Sequence, residues 1–388
     1  MFSLFQNSQT NLQIQVMDKI LQYTLQEKDI CITAGGLVNL VLKNCIRVTG
    51  HEISHAKFIP GGITADGRPV TVKDRINAGQ TLRVILPESL SRGGKAAAPD
   101  LPESRIIPQP VSFTADAEGK QILPEDPTAL SIPVLYEDED ILVVDKPAGQ
   151  VVHPTHGHYL DTTLNYIAGF YERQGMDVIP RLAGRLDRET SGVLLVAKNR
   201  AASGRLQRQR SAGTLVRTYL ALVYGIFTEK DGIIDAPIAP NPDSLGKMFV
   251  PKAGEKGTFF PSLTRYQVVE ESDEISLLRV TIDTGRMHQI RAHMASIGHP
   301  LVGDCLYGNK RCLATVVEPN AESCQYSDMS TSKAGRTMLH AAQICLYQPF
   351  KGFPLTVCAK LPEDFESIRV SITGNDLTEY CTEEEPVF

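Results

Sequence analysis

The sequence predicts an α+β protein. A mixed, largely antiparallel central sheet is flanked by helices, with a small α/β unit at the N-terminus. Three observations predict this. The apolar runs ILVV (141–144), GVLLVAK (192–198), TYLALVYG (218–225) and SLLRVTID (276–283) are short and bounded by turns or charges, as strands are. Helical patterning recurs only in TTLNYIAGFYERQ (162–174) and after Gly285, without the regular strand–helix alternation of a doubly wound sheet. A stretch over 91–131, including SRGGKAAAPDLPESRIIPQP, is rich in Pro, Gly, Ala and Ser and lacks sustained periodicity, so it reads as a linker. The expected domains are therefore 1–90, a linker over 91–131, a large domain over 132–362 and an acidic tail over 363–388.

Within the N-terminal unit, LQIQVMDKILQYTLQE (12–27) is patterned as a helix and LVNLVLKN (37–44) as a second. GGITADGRPVTV then reads as strand, turn at Asp66-Gly67, strand, and INAGQTLRVIL as a turn at Ala78-Gly79 followed by another strand. Helices followed by a small twisted β-element resemble the alpha-L RNA-binding module. The resemblance rests on the Gly-x-x-x-x-Gly-Arg-Pro-Val-Thr stretch and the downstream Ala-Gly-x-x-Leu. It implies Lys57, Arg68, Lys73 and Arg75 as phosphate contacts.

Composition narrows the function. With 42% hydrophobic and 22% charged residues over 388 positions, the chain has material for a sizeable core. No apolar window is long enough for a transmembrane span, and MFSLFQNSQT lacks a basic, cleavable leader pattern. A cytoplasmic monomer without membrane attachment is expected. The eight cysteines form no Cys-x-x-Cys pair, so reduced thiols and no metal are expected.

The net charge of −6 hides a strong asymmetry. Arg181, Arg185, Arg188, Lys198, Arg200, Arg205, Arg208, Arg210 and Arg217 face only Asp187 and Glu189 within their segment. Such a local field attracts a polyanion whatever the total charge. The alternative is a solvated helix face.

Four stretches could carry chemistry. DKPAGQVVHP ends a strand at Lys146-Pro147, turns at Gly149 and offers Lys146 and His153. GRLDRETSG places Asp187 on a turn leading into a buried strand, at the rim of a sheet. A nearby cation favours an ionised carboxylate, which suits a nucleophile or base. RTYLALVYG sets Tyr219 on a strand, as a core aromatic or as a stacking partner for a base. TGRMHQIRAHMASIGHPLVGD begins a helix near His288, Arg291 and His293, where an anion is favoured. The spacing of His288, His293 and His299 fits no metal motif.

These blocks, in this order and followed by RTMLHAAQICLYQP from Arg336, resemble the RluA-type pseudouridine synthases, including the large-subunit ribosomal RNA enzymes. The resemblance spans roughly residues 132–360. It implies the pseudouridine synthase fold and an isomerase acting on RNA without a cofactor. By it, Asp187 matches the catalytic nucleophile, and Arg185 the arginine that displaces the flipped base. Tyr219 matches the tyrosine that packs on the uracil and joins in proton transfer, and Arg291 the arginine that ion-pairs with the aspartate. Many relatives carry His before Arg-Leu-Asp, where this chain has Gly184, a difference expected to alter substrate contacts. Arg205, Arg208 and Arg217 from the basic segment are further expected RNA contacts. Asp187 has two routes, attack on the sugar or promotion of elimination there. Ribosomal RNA is the expected substrate, with transfer RNA as the alternative. A non-catalytic RNA-binding protein and an aspartyl phosphatase, suggested loosely by LDRET, are the rivals.

Overall fold

The computed structural model describes residues 18–87, 114–115, 121–122, 132–308 and 334–373, apart from positions 156, 157, 159, 160, 177, 243, 245, 253 and 256. Contacts divide the chain into two units. One is built on residues 18–87, with Gly175–Val178 and Asn199–Ala201, and the other on the rest from Ile106 onward. Most of the expected linker, the Asn309–Lys333 insertion and residues 374–388 lie outside the described residues.

The first unit contains β1 (Lys19–Thr24), α1 (Val38–Leu40), α2 (Gly50–Ala56), β2 (Ile63–Ala65), β3 (Arg68–Pro69) and β4 (Thr81–Leu86). Its antiparallel sheet has the order β1-β4-β2-β3. The helix expected over 12–27 is overturned where it is described, because Lys19–Thr24 is a strand. Burial there alternates: Lys19, Leu21 and Tyr23 are half-buried, while Ile20 remains 44% exposed. Pairing with β4, Leu21 opposite Val84, selects the period of two over the helical coincidence. The second helix stands as α1 and a π-helical turn over Val41–Cys45. Unexpected from the pattern, α2 is announced by a capping box. The Thr49 hydroxyl accepts from Glu52 N–H, and the Glu52 carboxylate accepts from Thr49 N–H at 2.7 Å. Asp66 and Gly67 both adopt positive φ, 46° and 78°, as a two-residue hairpin loop between β2 and β3 requires.

Two-residue strands β5 (Thr114–Ala115) and β6 (Gln121–Ile122) pair with each other. The second unit continues with β7 (Val134–Glu137), β8 (Ile141–Lys146), α3 (Thr163–Arg173), β9 (Arg181–Leu182), β10 (Ser191–Ala197), α4 (Arg200–Ser211), β11 (Val216–Tyr224), β12 (Asp231–Asp235), β13 (Ala239–Pro240) and β14 (Met248–Phe249). It closes with β15 (Leu263–Glu271), β16 (Ile275–Ile282), α5 (Gln289–Ser296), β17 (Leu339–Tyr347), β18 (Pro354–Cys358) and α6 (Glu363–Thr373). Ten of these strands form one sheet with the path β12-β15-β16-β11-β17-β10-β8-β7, with β9 and β18 as side pairs. Every pairing is antiparallel except β10 with β17. The predicted mixed, largely antiparallel α+β sheet is what the chain forms.

That parallel junction is the centre of the fold. All seven residues of β10 are buried. Gly192, at φ 105°, lies so close to β17 that a Cβ would fall 2.2 Å from the Ala341 carbonyl oxygen, so only glycine fits. One apolar cluster gathers Val143, Val193, Leu195, Leu206 and Ile344. A second joins Leu220, Leu222, Leu277 and Met338 to Phe365 and Ile368. The last two belong to α6, which corrects the tail expected to begin at 363. Acidic composition masked a helical spacing of apolar residues. The helix is further tied in by Asp364 to Arg336 at 2.6 Å and by Arg369, fully buried, to Glu270 and Glu366 at 3.0 and 2.7 Å.

Candidate active site

Asp187 lies between β9 and β10 in a turn closed by Thr190 N–H donating to the Asp187 carbonyl at 3.1 Å. The loop after β8 holds this turn from beneath. Gly149 N–H donates to the Arg188 carbonyl at 2.9 Å, and Arg188 Nε returns a bond to the Gly149 carbonyl at 3.0 Å. Lys146, fully buried, donates from Nζ to the carbonyls of Pro147, Gln150 and Arg188 at 2.7, 2.9 and 3.1 Å. Burial pushes its pKa down to about 7, against the raising pull of Glu189. Arg336 Nη1 donates to the next carbonyl, that of Glu189, at 3.0 Å. The turn that presents Asp187 is thus held from both sides through its backbone.

The other half comes from the β16–α5 connection. Gln289 accepts from Thr284 Oγ1 and Arg286 N–H at 2.8 and 3.1 Å, and donates to the Leu263 carbonyl at 2.9 Å, which pins the loop before the helix. Arg291 is 8% exposed. Its Nε and Nη2 donate to the two oxygens of buried Asp304 at 2.7 and 2.8 Å, a bidentate pair. Its Nη1 reaches Asp187 Oδ2 at 3.6 Å. Burial opposes the Arg291 charge, but the hydrogen bond and charge of Asp304, then the charge of Asp187, raise its pKa overall. The Asp304 carboxylate also accepts from Leu306 and Tyr307 N–H at 3.0 and 3.1 Å, so it is immobilised.

His288 sits just before α5 in left-handed conformation, φ 53°. The Tyr307 hydroxyl accepts from Met248 N–H at 2.7 Å, which leaves its own proton for His288 Nδ1 at 3.2 Å. A neutral imidazole then carries its proton on Nε2, 3.9 Å from Asp187 Oδ2. Desolvation lowers the His288 pKa despite Asp187, which agrees with that neutral tautomer.

Tyr219 enters from β11 at an irregularity. Thr218 pairs with Gln343, but Tyr219 pairs with Ala341, so β17 carries one extra residue there. Such a bulge re-aims the side chains around it. Arg185, Asp187, Arg217, Tyr219 and Arg291 line one cleft, together with Arg286 and His288. Five residues singled out from the sequence therefore converge, although Tyr219 itself is only 3% exposed.

The remaining basic residues diverge. Arg208 is exposed on α4. Arg205 is 6% exposed, with its guanidinium 4.2 Å from the Phe350 ring centroid, so the phosphate contact expected of it is corrected to a core cation–π contact. Its place on the helix, next to buried Leu206, turns it inward. In the first unit, Lys57, Arg68 and Lys73 are exposed. Arg75 is exposed too, but its guanidinium is tied to the Ala34 and Gly35 carbonyls. The three histidines have separate tasks: His293 bonds Thr264 and the Ala236 carbonyl, and His299 stacks on Phe227 at 3.9 Å. Asp304 and His288 stood inside the recognised block without an assigned role. No local spacing ties Asp304 to Arg291, whereas His288 directly precedes a helix start.

Comparison with known proteins settles the family. The profile described as RNA pseudouridylate synthase matches residues 140–296. Ribosomal large subunit pseudouridine synthase D of Escherichia coli (strain K12) is 31% identical over 302 residues, 77% of this chain and 87% of that protein.

The chain belongs to the RNA pseudouridine synthase family.

The protein of the same name from Nitrosomonas europaea is 37% identical over 246 residues, covering 63% of this chain and 66% of that protein. Among solved structures, Human RNA Pseudouridylate Synthase Domain Containing 1 is 26% identical over 62% of this chain and 87% of that one, with a TM-score of 0.46. The RluA-type resemblance read from the four sequence blocks stands. In the described part of this synthase, no helix is long and apolar enough to cross a membrane.

Proposed function

We propose that this chain isomerises uridine to pseudouridine in large-subunit ribosomal RNA, as a cytoplasmic monomer, with Asp187 as the nucleophile. The observation that carries the reading is the Asp187–Arg291 pair at 3.6 Å, on the wall of the cleft that Tyr219 also lines. Two relatives named as ribosomal large subunit synthases support the choice of RNA.

The uridine is extruded from its helix at a cost of a few kcal/mol, and Arg185, exposed at the cleft, fills the vacated space. Asp187 acts at the sugar, either by attack or by promoting elimination, and the N-glycosidic bond breaks. The uracil rotates so that carbon 5 faces the sugar, and a carbon–carbon bond forms as the bond from Asp187 to the sugar breaks or, on the elimination route, as Asp187 returns the proton it took from the sugar. The carbon-5 proton leaves with help from Tyr219, which also packs on the ring, and the ring nitrogen freed by glycosidic cleavage takes up a proton in its place. The product is an isomer of the substrate, so atoms balance without a group donor. Phe58, 86% exposed beside Lys57, supports RNA contact by the first unit, since an exposed aromatic next to a cation is a stacking platform.

The test is tritium release from carbon-5-labelled transcripts of ribosomal and transfer RNA. Release from ribosomal RNA by the wild type, with none from Asp187→Asn at retained RNA affinity, supports the reading. Turnover by Asp187→Asn overturns the nucleophile, and release from transfer RNA alone overturns the substrate.

A further inference from the structure

Gly184 and Gly285 pack against the same arginine. A Cβ on Gly184 would fall 2.6 Å from Arg217 Nη1, and one on Gly285 would fall 2.7 Å from Arg217 Nη2. The Gly285 position is also 2.8 Å from Arg210 Nη2. The two guanidinium groups therefore meet over bare backbone. Arg286, the next residue, lines the same cleft with Arg217, and its guanidinium rests 5.6 Å from the Phe260 ring centroid.

Like charges crowded in this way are costly unless an anion joins them. Burial, then the charges of Arg217 and Arg286, lower the Arg210 pKa. Among the described residues no carboxylate pairs with any of the three side chains, while Arg291 nearby is already committed to Asp304 and Asp187. Among the described residues these cations have no carboxylate partner, so an anionic ligand would supply the counter-charge. A phosphodiester fits the need. It is monoanionic, accepts from several guanidinium N–H groups, and accompanies any nucleotide brought to Asp187.

We propose that Arg210, Arg217 and Arg286 form a clamp for one backbone phosphodiester of the RNA beside the target uridine, seated on Gly184 and Gly285. The clamp rests on the reading of this chain as an RNA pseudouridine synthase. It also accounts for glycine at position 184. A side chain there would occupy the space the Arg217 guanidinium fills, so glycine at 184 and the placement of Arg217 are one feature. Arg217 thereby belongs to the binding of the target strand rather than to a diffuse basic surface.

The experiment measures RNA affinity against salt for Arg210→Gln, Arg217→Gln, Arg286→Gln and Gly184→Ala in the full chain. The probe is a ribosomal RNA fragment carrying the site that the wild type modifies. Each arginine variant should bind about fivefold more weakly and lose roughly one unit of salt slope, the signature of a lost phosphate contact. Gly184→Ala should weaken binding in the wild-type background and have no effect beside Arg217→Gln. A second probe replaces single phosphates near the uridine with neutral methylphosphonate. One position should weaken wild-type binding and leave Arg217→Gln unaffected. Unchanged salt slopes in all three arginine variants, or additive losses at every phosphate, overturn the clamp. If Arg217→Gln fails to fold, Arg286→Gln decides alone by the same readout. Absence of pseudouridine with the wild type overturns the activity instead, so the two failures are distinct.

Discussion

Arg291 is divided unequally between two aspartates: Asp304 holds two of its nitrogens at 2.7 and 2.8 Å, and Asp187 meets the third at 3.6 Å. The tight pair orients the guanidinium. The looser contact leaves Asp187 with a side chain that is 22% exposed at the cleft. The cation is thus fixed by Asp304 rather than by Asp187.

Removing that residue should separate stability from turnover. Asp304→Ala leaves a buried guanidinium poorly paired and should cost about 3–5 kcal/mol in denaturant unfolding. Asp304→Asn keeps one acceptor and should fold. Its single-turnover rate at saturating RNA should fall roughly tenfold to a hundredfold, with affinity little changed, because Arg291 loses its aim. An Asp304→Asn enzyme with the wild-type rate refutes this positioning.

Acid should act through His340. It is fully buried, takes a hydrogen bond from Ser191 Oγ at Nδ1 (2.9 Å), and bonds the Ala359 carbonyl through Nε2, a neutral tautomer with both nitrogens used. Burial pushes its pKa from the ordinary 6.5 to about 4. The unfolded chain then binds the proton more tightly, so stability falls as pH drops from 6.5 to 4 and is level with respect to this group below that. The loss amounts to roughly 3 kcal/mol. Urea unfolding of His340→Gln should show a flatter acid limb over this window, and an unchanged limb counts against the assignment.

Gly192→Ala tests the parallel junction. The added Cβ meets the Ala341 backbone and must adopt a φ of 105°, so the variant should lose about 3 kcal/mol or more. Gly204→Ala is the control, within α4 and with nothing within 4 Å of its Cβ. It should gain about 0.5–1 kcal/mol in the same thermal melts.

Two arginines three positions apart should behave differently. Arg208→Gln should lower the salt slope of RNA binding by about one unit, as an exposed phosphate contact would. Arg205→Met should leave the slope unchanged while lowering thermal stability, because its guanidinium lies over Phe350. Equal effects on RNA binding would put Arg205 back at the surface.

The strands of the large unit were legible because each is a short apolar run closed by turn residues, as in GVLLVAK, and local chemistry suffices to read that. The chemistry-bearing blocks were legible for the same reason: GRLDR, RTYLALV and HQIR each keep their residue types within one turn or strand. The error at Lys19–Thr24 arose where two periodicities fitted the same apolar residues and a distant strand decided between them. Arg205 and α6 were misread because composition reports charge without reporting which way a helix faces.

By itself, the sequence determined the fold class, the family and a set of candidate site residues. Only the tertiary structure decided which of them meet. Asp187 finds Arg291 because a parallel junction that only Gly192 permits sets β10 beside β17, and Arg291 keeps its direction because Asp304 folds back onto it. Those relations join residues far apart in the chain. They depend on distances of a few ångströms, which backbone pairing and packing set and no local pattern records.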